Sequence, residues 1–168
     1  PKKPIWMSGY AARTKPSDGA LHPLWAKGLA IEDRKGYRLV IVTTDLIGLP
    51  RVITDEVAAR LEKQHNLRRA QIVFNASHTH TGPVVRPNLM TMYFLTPEQK
   101  QVVEEYARKL TDDLFQVAAA ALGRDRCTQR GETGRLLHAG GRCRKPGQVV
   151  DVEVRLREFS QKVRVTIG

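Results

Sequence analysis

Two histidines, His78 and His80, stand two residues apart at the end of an apolar segment, just before a Gly-Pro turn at residues 82–83. If the backbone is extended there, side-chain alternation places both imidazoles on the same face. Neutral imidazole is the commonest nitrogen ligand of zinc, so such a strand end could supply half of a metal site. Spacing alone leaves a second interpretation open, in which both are loop histidines that hydrogen-bond the backbone.

A mixed sheet is predicted to position this pair. Residues 24–31 and 37–43 have strand patterns, and the turn residues 33–36 between them indicate an antiparallel hairpin. After Pro50 a helix of about 15 residues leads to a buried strand at residues 71–76. Strand, helix and strand in this order predict a right-handed crossover with parallel pairing.

Asp45 follows the second strand, as His78 follows the third. In open α/β sheets, the carboxyl ends of parallel strands meet at one edge, where chemistry is usually located. We therefore expect Asp45, His78 and His80 to cluster at one end of the sheet, with the carboxylate within about two strand spacings, roughly 10 Å, of the imidazoles.

The helices and the C-terminal segment complete the predicted fold. Residues 54–56 would place acidic side chains in the first turn of the first helix. Thr96, followed by Pro97 and Gln99, predicts the start of a long structural helix that ends at Gly123. Alternating apolar residues at 150–156 and 163–167 predict a β-hairpin.

The predicted fold class is therefore α/β: a mixed sheet with a β-hairpin and a right-handed βαβ crossover, helices packed on the sheet, and a C-terminal β-hairpin. The 168 residues fit a single domain, and the 41% hydrophobic and 27% charged fractions are those of an ordinary globular protein. No apolar run is long enough for a membrane span, and no signal peptide opens the chain. The first residue is proline, so we expect a processed or trimmed piece.

The net charge of +11 raises the question of nucleic-acid binding. Residues 124–168 alone carry 11 basic and 5 acidic side chains. Arginines scattered among Gly and Cys at 124–147 are more typical of a solvated basic loop than of a specific nucleic-acid site, so we predict no specific nucleic-acid partner.

Neither the two cysteines nor the other three histidines predict a functional site by themselves. Cys127 and Cys143 are too few for a disulfide scaffold or a cysteine-built zinc site, and they could form one bridge or stay as two thiols. His22 and His65 are predicted at the surface, and His138 is not predicted as a ligand.

Four segments together resemble the N-terminal part of the neutral (non-lysosomal) ceramidase family, particularly its shorter bacterial relatives. They are Met-Ser-Gly-Tyr-Ala-Ala-Arg at 7–13, Leu-Trp-Ala-Lys-Gly-Leu-Ala at 24–30, Thr-Asp-Leu-Ile-Gly-Leu-Pro at 44–50, and Ser-His-Thr-His-Thr-Gly-Pro at 77–83. The order and spacing fit from about residue 5 to residue 122, and the last segment is the most specific.

This resemblance implies a Zn²⁺-dependent amidase that cleaves the N-acyl bond of ceramide-like lipids. It implies that His78 binds zinc and that His80 is catalytic and orients water or substrate. We assign Asp45 to an outer-shell catalytic role, holding an imidazole tautomer as metal-bound histidine normally requires. The implied substrate is a lipid amide. The resemblance is also compatible with peripheral membrane contact, and it favours a secreted or periplasmic location.

The chain also departs from the family pattern. The family completes its zinc site with a second His, a Glu and a Tyr farther downstream, and no segment here matches them. We expect the N-terminal portion of a catalytic domain, family-like over 1–123, with a basic loop at 124–147 and a hairpin at 148–168. Alone it should show little amidase activity. The competing interpretation is a non-catalytic relative, or a basic binding module with structural histidines.

Overall fold

The computed structural model describes residues 4–21, 23–33 and 35–123, and the backbone of two later strands. In chain order the elements are β1 (Trp25–Glu32), β2 (Arg38–Thr44), α1 (Arg51–His65), β3 (Ile72–Ala76), α2 (Pro97–Leu122), β4 (Val149–Arg155) and β5 (Val163–Arg164). The two helices pack with the sheet: α2 contacts β1 and β2, and α1 contacts α2.

The sheet has the order β3-β2-β1-β4-β5. β1 and β2 pair antiparallel as a hairpin, and β2 and β3 pair in parallel across α1. The predicted α/β fold with a hairpin and a βαβ connection is therefore confirmed. β4 pairs antiparallel with the free edge of β1 and with β5, as a C-terminal hairpin should. The predicted basic loop at 124–147 lies outside the described residues.

The hairpin turn between β1 and β2 follows from its residue types. The Asp33 carboxylate accepts hydrogen bonds from the main-chain nitrogens of Lys35 and Tyr37, each at 2.8 Å. Gly36 has φ +82°, a left-handed conformation that side chains with a Cβ rarely adopt. Asx turns and glycine at positive φ are the turn chemistry that the sequence predicted.

Helix α1 begins one turn earlier than its acidic residues suggested. Pro50 is the N-cap and Arg51 is the first helical residue, so the first turn contains no acidic side chain. The prediction that residues 54–56 place acid in the first turn is therefore wrong. The buried face of α1 is as expected, with Ile53, Val57 and Leu61 in the core.

Helix α2 begins as predicted. Thr96 Oγ1 accepts from the Gln99 nitrogen at 3.3 Å, and Gln99 Oε1 accepts from the Thr96 nitrogen at 2.9 Å, which satisfies two helix-terminal donors reciprocally. Pro97 occupies the first turn, where its missing N–H is not needed. Gly123 caps the end with φ −72°. Within the described residues no helix is long and apolar enough to cross a membrane.

Gly28 allows β1 to lie directly against α2. A Cβ at this position would be 2.8 Å from Val117 Cγ1 and 3.0 Å from the Val117 carbonyl oxygen. We expect Gly28→Ala to lower the free energy of unfolding by about 1–3 kcal/mol, since the helix backbone cannot yield as a flexible side chain can. Urea unfolding measures this loss. Gly19→Ala is the matched control, because no atom lies within 4 Å of its Cβ position, and equal losses would contradict the prediction.

Candidate active site

The two histidines lie in a kinked loop rather than on a strand. β3 ends at Ala76, and the Ser77 nitrogen still donates to the Thr44 carbonyl at 2.9 Å. His78 then has φ +60°, which is uncommon for a residue other than glycine. The backbone is therefore not extended through the pair, so the condition for side-chain alternation is not met. The two imidazoles nevertheless lie together, with ring centroids 5.3 Å apart and planes at 64°.

A main-chain carbonyl fixes the tautomer of His78. Its Nδ1 lies 2.8 Å from the carbonyl oxygen of Ile47, in the segment that follows β2. A carbonyl oxygen can only accept, so Nδ1 carries the proton, and in the neutral imidazole Nε2 keeps its lone pair. His78 is an exposed residue, and this tautomer leaves Nε2 as the ring nitrogen that can bind a metal ion.

The N-terminal segment encloses His80. The Tyr10 ring meets the His80 ring edge-on, with centroids 4.9 Å apart. Arg13 Nη2 donates to the His80 carbonyl at 2.8 Å, and the Arg13 guanidinium lies 5.3 Å from the centroid of the Tyr10 ring. Gly9 packs against the imidazole so closely that a Cβ there would be 2.6 Å from His80 Cγ. His80 is therefore held from several sides.

Hydrogen bonds tie this N-terminal segment to the loop after the histidines. The buried Ser8 hydroxyl donates to the carbonyls of Gly82 and Pro83, and its nitrogen donates to the Gly82 carbonyl at 2.9 Å. The Val84 nitrogen donates to the Trp6 carbonyl at 2.8 Å. These bonds surround an isolated antiparallel β-bridge between Met7 and Pro83, which positions Gly9 and Tyr10 beside the imidazoles.

Asp45 lies at the same end of the sheet, but its described hydrogen bond is to a main-chain group. Its Oδ2 accepts from the Trp25 nitrogen at 2.9 Å, and its own nitrogen donates to the Trp25 carbonyl at 2.9 Å. The carboxylate lines an open cleft of about 400 Å³. The cleft is formed by Pro23, Leu24, Trp25, Asp45, Ser77, Thr79 and Thr81.

A family model described as neutral/alkaline non-lysosomal ceramidase, N-terminal, matches residues 1–116 of the chain. The match covers β1 to β3, α1, most of α2 and both histidines. The chain belongs to the neutral/alkaline non-lysosomal ceramidase family. The resemblance seen in the sequence is thus confirmed. Members of this family are hydrolases that act on lipid amides in sphingolipid metabolism. No curated protein and no solved structure gives a significant match to the chain.

The described residues of this ceramidase-family chain bring two imidazoles together without completing a set of three metal ligands. Within residues 4–21, 23–33 and 35–123, no group of three His, Cys, Asp or Glu side chains is arranged to hold a metal ion. His65, expected at the surface, is partly buried, with its ring 6.2 Å from that of Phe115. His22, His138 and both cysteines lie outside the described residues.

The sequence did not reveal three contributors to the candidate site. The Ile47 carbonyl that fixes His78 is a main-chain group, so no residue type signals it. Gly9 lies in one of the segments that carried the resemblance, but its contact with His80 depends on tertiary packing. The Tyr93 hydroxyl, which accepts from the Gly9 nitrogen at 3.0 Å, lies 84 residues farther along the chain.

The predicted catalytic role of Asp45 stays a prediction, and two substitutions separate it from a structural role. Asp45→Ala removes the acceptor for the Trp25 nitrogen and should lower the free energy of unfolding by about 1.5–3 kcal/mol, as expected for a hydrogen bond to a charged group. Asp45→Asn keeps an acceptor oxygen and should lose less stability. If the charge itself serves the reaction, amide hydrolysis should fall in Asp45→Asn although thermal unfolding changes little. Full activity in Asp45→Asn would leave only the structural role.

Proposed function

We propose that this chain supplies His78 as a ligand to the zinc ion of an amidohydrolase that cleaves the N-acyl amide of ceramide-like lipids. The observation that carries the proposal is the hydrogen bond from His78 Nδ1 to the Ile47 carbonyl, because in the neutral imidazole it leaves the lone pair on Nε2 of this exposed residue. Metal-binding histidines usually donate their other ring N–H in this way, often to a backbone carbonyl. Membership of the ceramidase family supports a lipid amide as the substrate.

The residues around His78 fit one part of a zinc site. A catalytic zinc ion usually has three protein ligands, so His78 would act with ligands besides those that the described residues bring together. When bound, zinc would supply Lewis-acid activation of the amide carbonyl and of water.

His80 has a separate part in this proposal. Its ring centroid lies 5.3 Å from that of His78, close enough to contact a substrate or water beside the metal. Because Gly9 and Tyr10 pack on the His80 ring, its orientation is restricted. His80 is therefore suited to orient the substrate or the water molecule. Asp45, on the neighbouring cleft, is the candidate for a supporting role.

The test is hydrolysis of a fluorescent short-chain N-acyl sphingosine by the protein that carries this sequence. We expect the release of fatty acid to stop after chelation and to return when zinc is added, since the amide is activated only with the ion in place. Turnover that is insensitive to chelators would contradict zinc dependence.

The competing interpretation, a basic binding module, makes an opposite prediction. RNA or DNA binding that weakens steeply with salt, without bound zinc and without hydrolysis, would support it. The described residues include no observation that favours this second function.

A further inference from the structure

We propose that Tyr93 is a positioning residue for His80 and acts through Gly9. The proposal rests on the proposed function, which gives His80 its place beside the substrate. The geometry has two contacts in series: the Tyr93 hydroxyl accepts from the Gly9 nitrogen at 3.0 Å, and Gly9 packs on the His80 imidazole. Tyr93 itself touches neither the metal ligand nor the cleft among the described contacts.

Gly9 packs so closely on the His80 imidazole that no space remains between them for a side-chain atom. A Cβ on Gly9 would be 2.6 Å from His80 Cγ, 2.7 Å from its Cβ and 2.7 Å from Nδ1. Such distances mean that the glycine backbone itself forms a wall of the imidazole pocket. Any movement of Gly9 toward or away from the ring therefore changes the space in which the ring can rotate.

Tyr93 is a suitable anchor because the core holds it. The residue is buried, with 7% of its surface exposed, and belongs to the same core as β1 and α2. It follows the short 3-10 helix Met90–Met92, and its nitrogen donates to the Met90 carbonyl at 3.3 Å. A tyrosine side chain has few rotatable bonds, so a buried ring places its hydroxyl at a defined point.

The bond to Tyr93 also differs in kind from the other bonds of the N-terminal segment. Ser8 and Trp6 bond to residues 82–84, which lie two to four residues after His80 in the chain. The Gly9–Tyr93 bond instead connects the segment to the loop before α2, 84 residues away. Tyr93 therefore fixes the backbone of Gly9 itself from the side of the loop before α2, whereas the other bonds hold Trp6 and Ser8 against the segment that follows His80.

The test is nuclear magnetic resonance on the metal-free 168-residue chain with labelled histidines. In the wild type we expect a strong nuclear Overhauser effect between the Gly9 Hα protons and the His80 ring protons, because the two groups are in contact. In Tyr93→Phe this effect should weaken or vanish and the His80 ring resonances should shift. The substitution keeps the aromatic ring and removes one hydroxyl, so the chain should stay folded.

Two internal comparisons make the result decisive. Tyr106→Phe removes another buried tyrosine hydroxyl, on α2, and should leave the His80 signals unchanged. The His78 ring should keep its Nδ1 proton in both variants, because the Ile47 carbonyl holds that tautomer. Unchanged His80 signals in Tyr93→Phe, or equal changes in Tyr106→Phe, would overturn the proposal. The measurement uses no zinc and no substrate, so failure of the proposed amidase function would appear separately, in the chelation assay.

Discussion

In a protein that carries this sequence together with the remaining zinc ligands, His78→Ala should abolish measurable zinc binding, whereas His80→Ala should weaken it by about 10–100-fold, the usual cost of losing an outer-shell partner. The difference follows from the ring environments. In the neutral His78 ring Nε2 is left with its lone pair, because the Nδ1–H donates to the Ile47 carbonyl, while His80 is packed between Gly9 and Tyr10. Competition with a chelator at fixed pH measures both affinities, and pH must be held because protons compete for imidazole.

His65→Ala is the matched control for these two variants. It removes a partly buried imidazole at the end of α1 and should leave the zinc affinity unchanged. Equal losses in His78→Ala and His80→Ala would mean that both residues ligate the ion. No loss in either variant would return the pair to a structural role and favour the basic binding module.

Gly9→Ala should lower the free energy of unfolding by about 2–5 kcal/mol. About 1–2 kcal/mol comes from placing a Cβ at φ +100°, and a further 1–3 kcal/mol, roughly, comes from overpacking against the His80 ring. Gly36→Ala isolates the backbone cost, because Gly36 has φ +82° and a Cβ there would lie 3.8 Å from a Glu32 carboxylate oxygen, an ordinary contact distance. Urea unfolding of the two variants gives the difference directly.

A double-mutant cycle tests the cause of the additional loss. Adding His80→Ala to Gly9→Ala removes the ring that the new Cβ would strike, so the pair should show a coupling of about 1–3 kcal/mol. Equal losses in Gly9→Ala and Gly36→Ala would contradict the close packing of Gly9 on His80. So would an absence of rescue by His80→Ala.

Local sequence signals predicted most of the secondary structure because each had a local physical cause. The Thr96–Gln99 capping box satisfies helix donors within four residues, and the Asp33 turn closes within five. The parallel pairing of β2 and β3 followed from a strand, a helix and a strand in series. Such features need no knowledge of distant contacts.

The parts of the site that could not be predicted depend on tertiary contacts or on main-chain groups. The positive φ of His78 has no side-chain signature, so alternation along an extended strand was the wrong reason for two neighbouring imidazoles. The start of α1 at Arg51 follows from the Pro50 cap rather than from the acidic residues that suggested otherwise. The Ile47 carbonyl and the Tyr93 hydroxyl act across 31 and 84 residues.

The most direct test of the account is the nitrogen spectrum of the His78 ring before and after zinc is added, at a pH where the imidazoles are neutral. In the metal-free chain we predict that Nδ1 carries the proton and Nε2 does not, because Nδ1 bonds to the Ile47 carbonyl. Zinc should then shift the Nε2 resonance while Nδ1 keeps its proton. A proton on Nε2 in the metal-free chain, or a zinc-induced shift at Nδ1 instead of Nε2, would contradict the assignment of His78 as the zinc ligand.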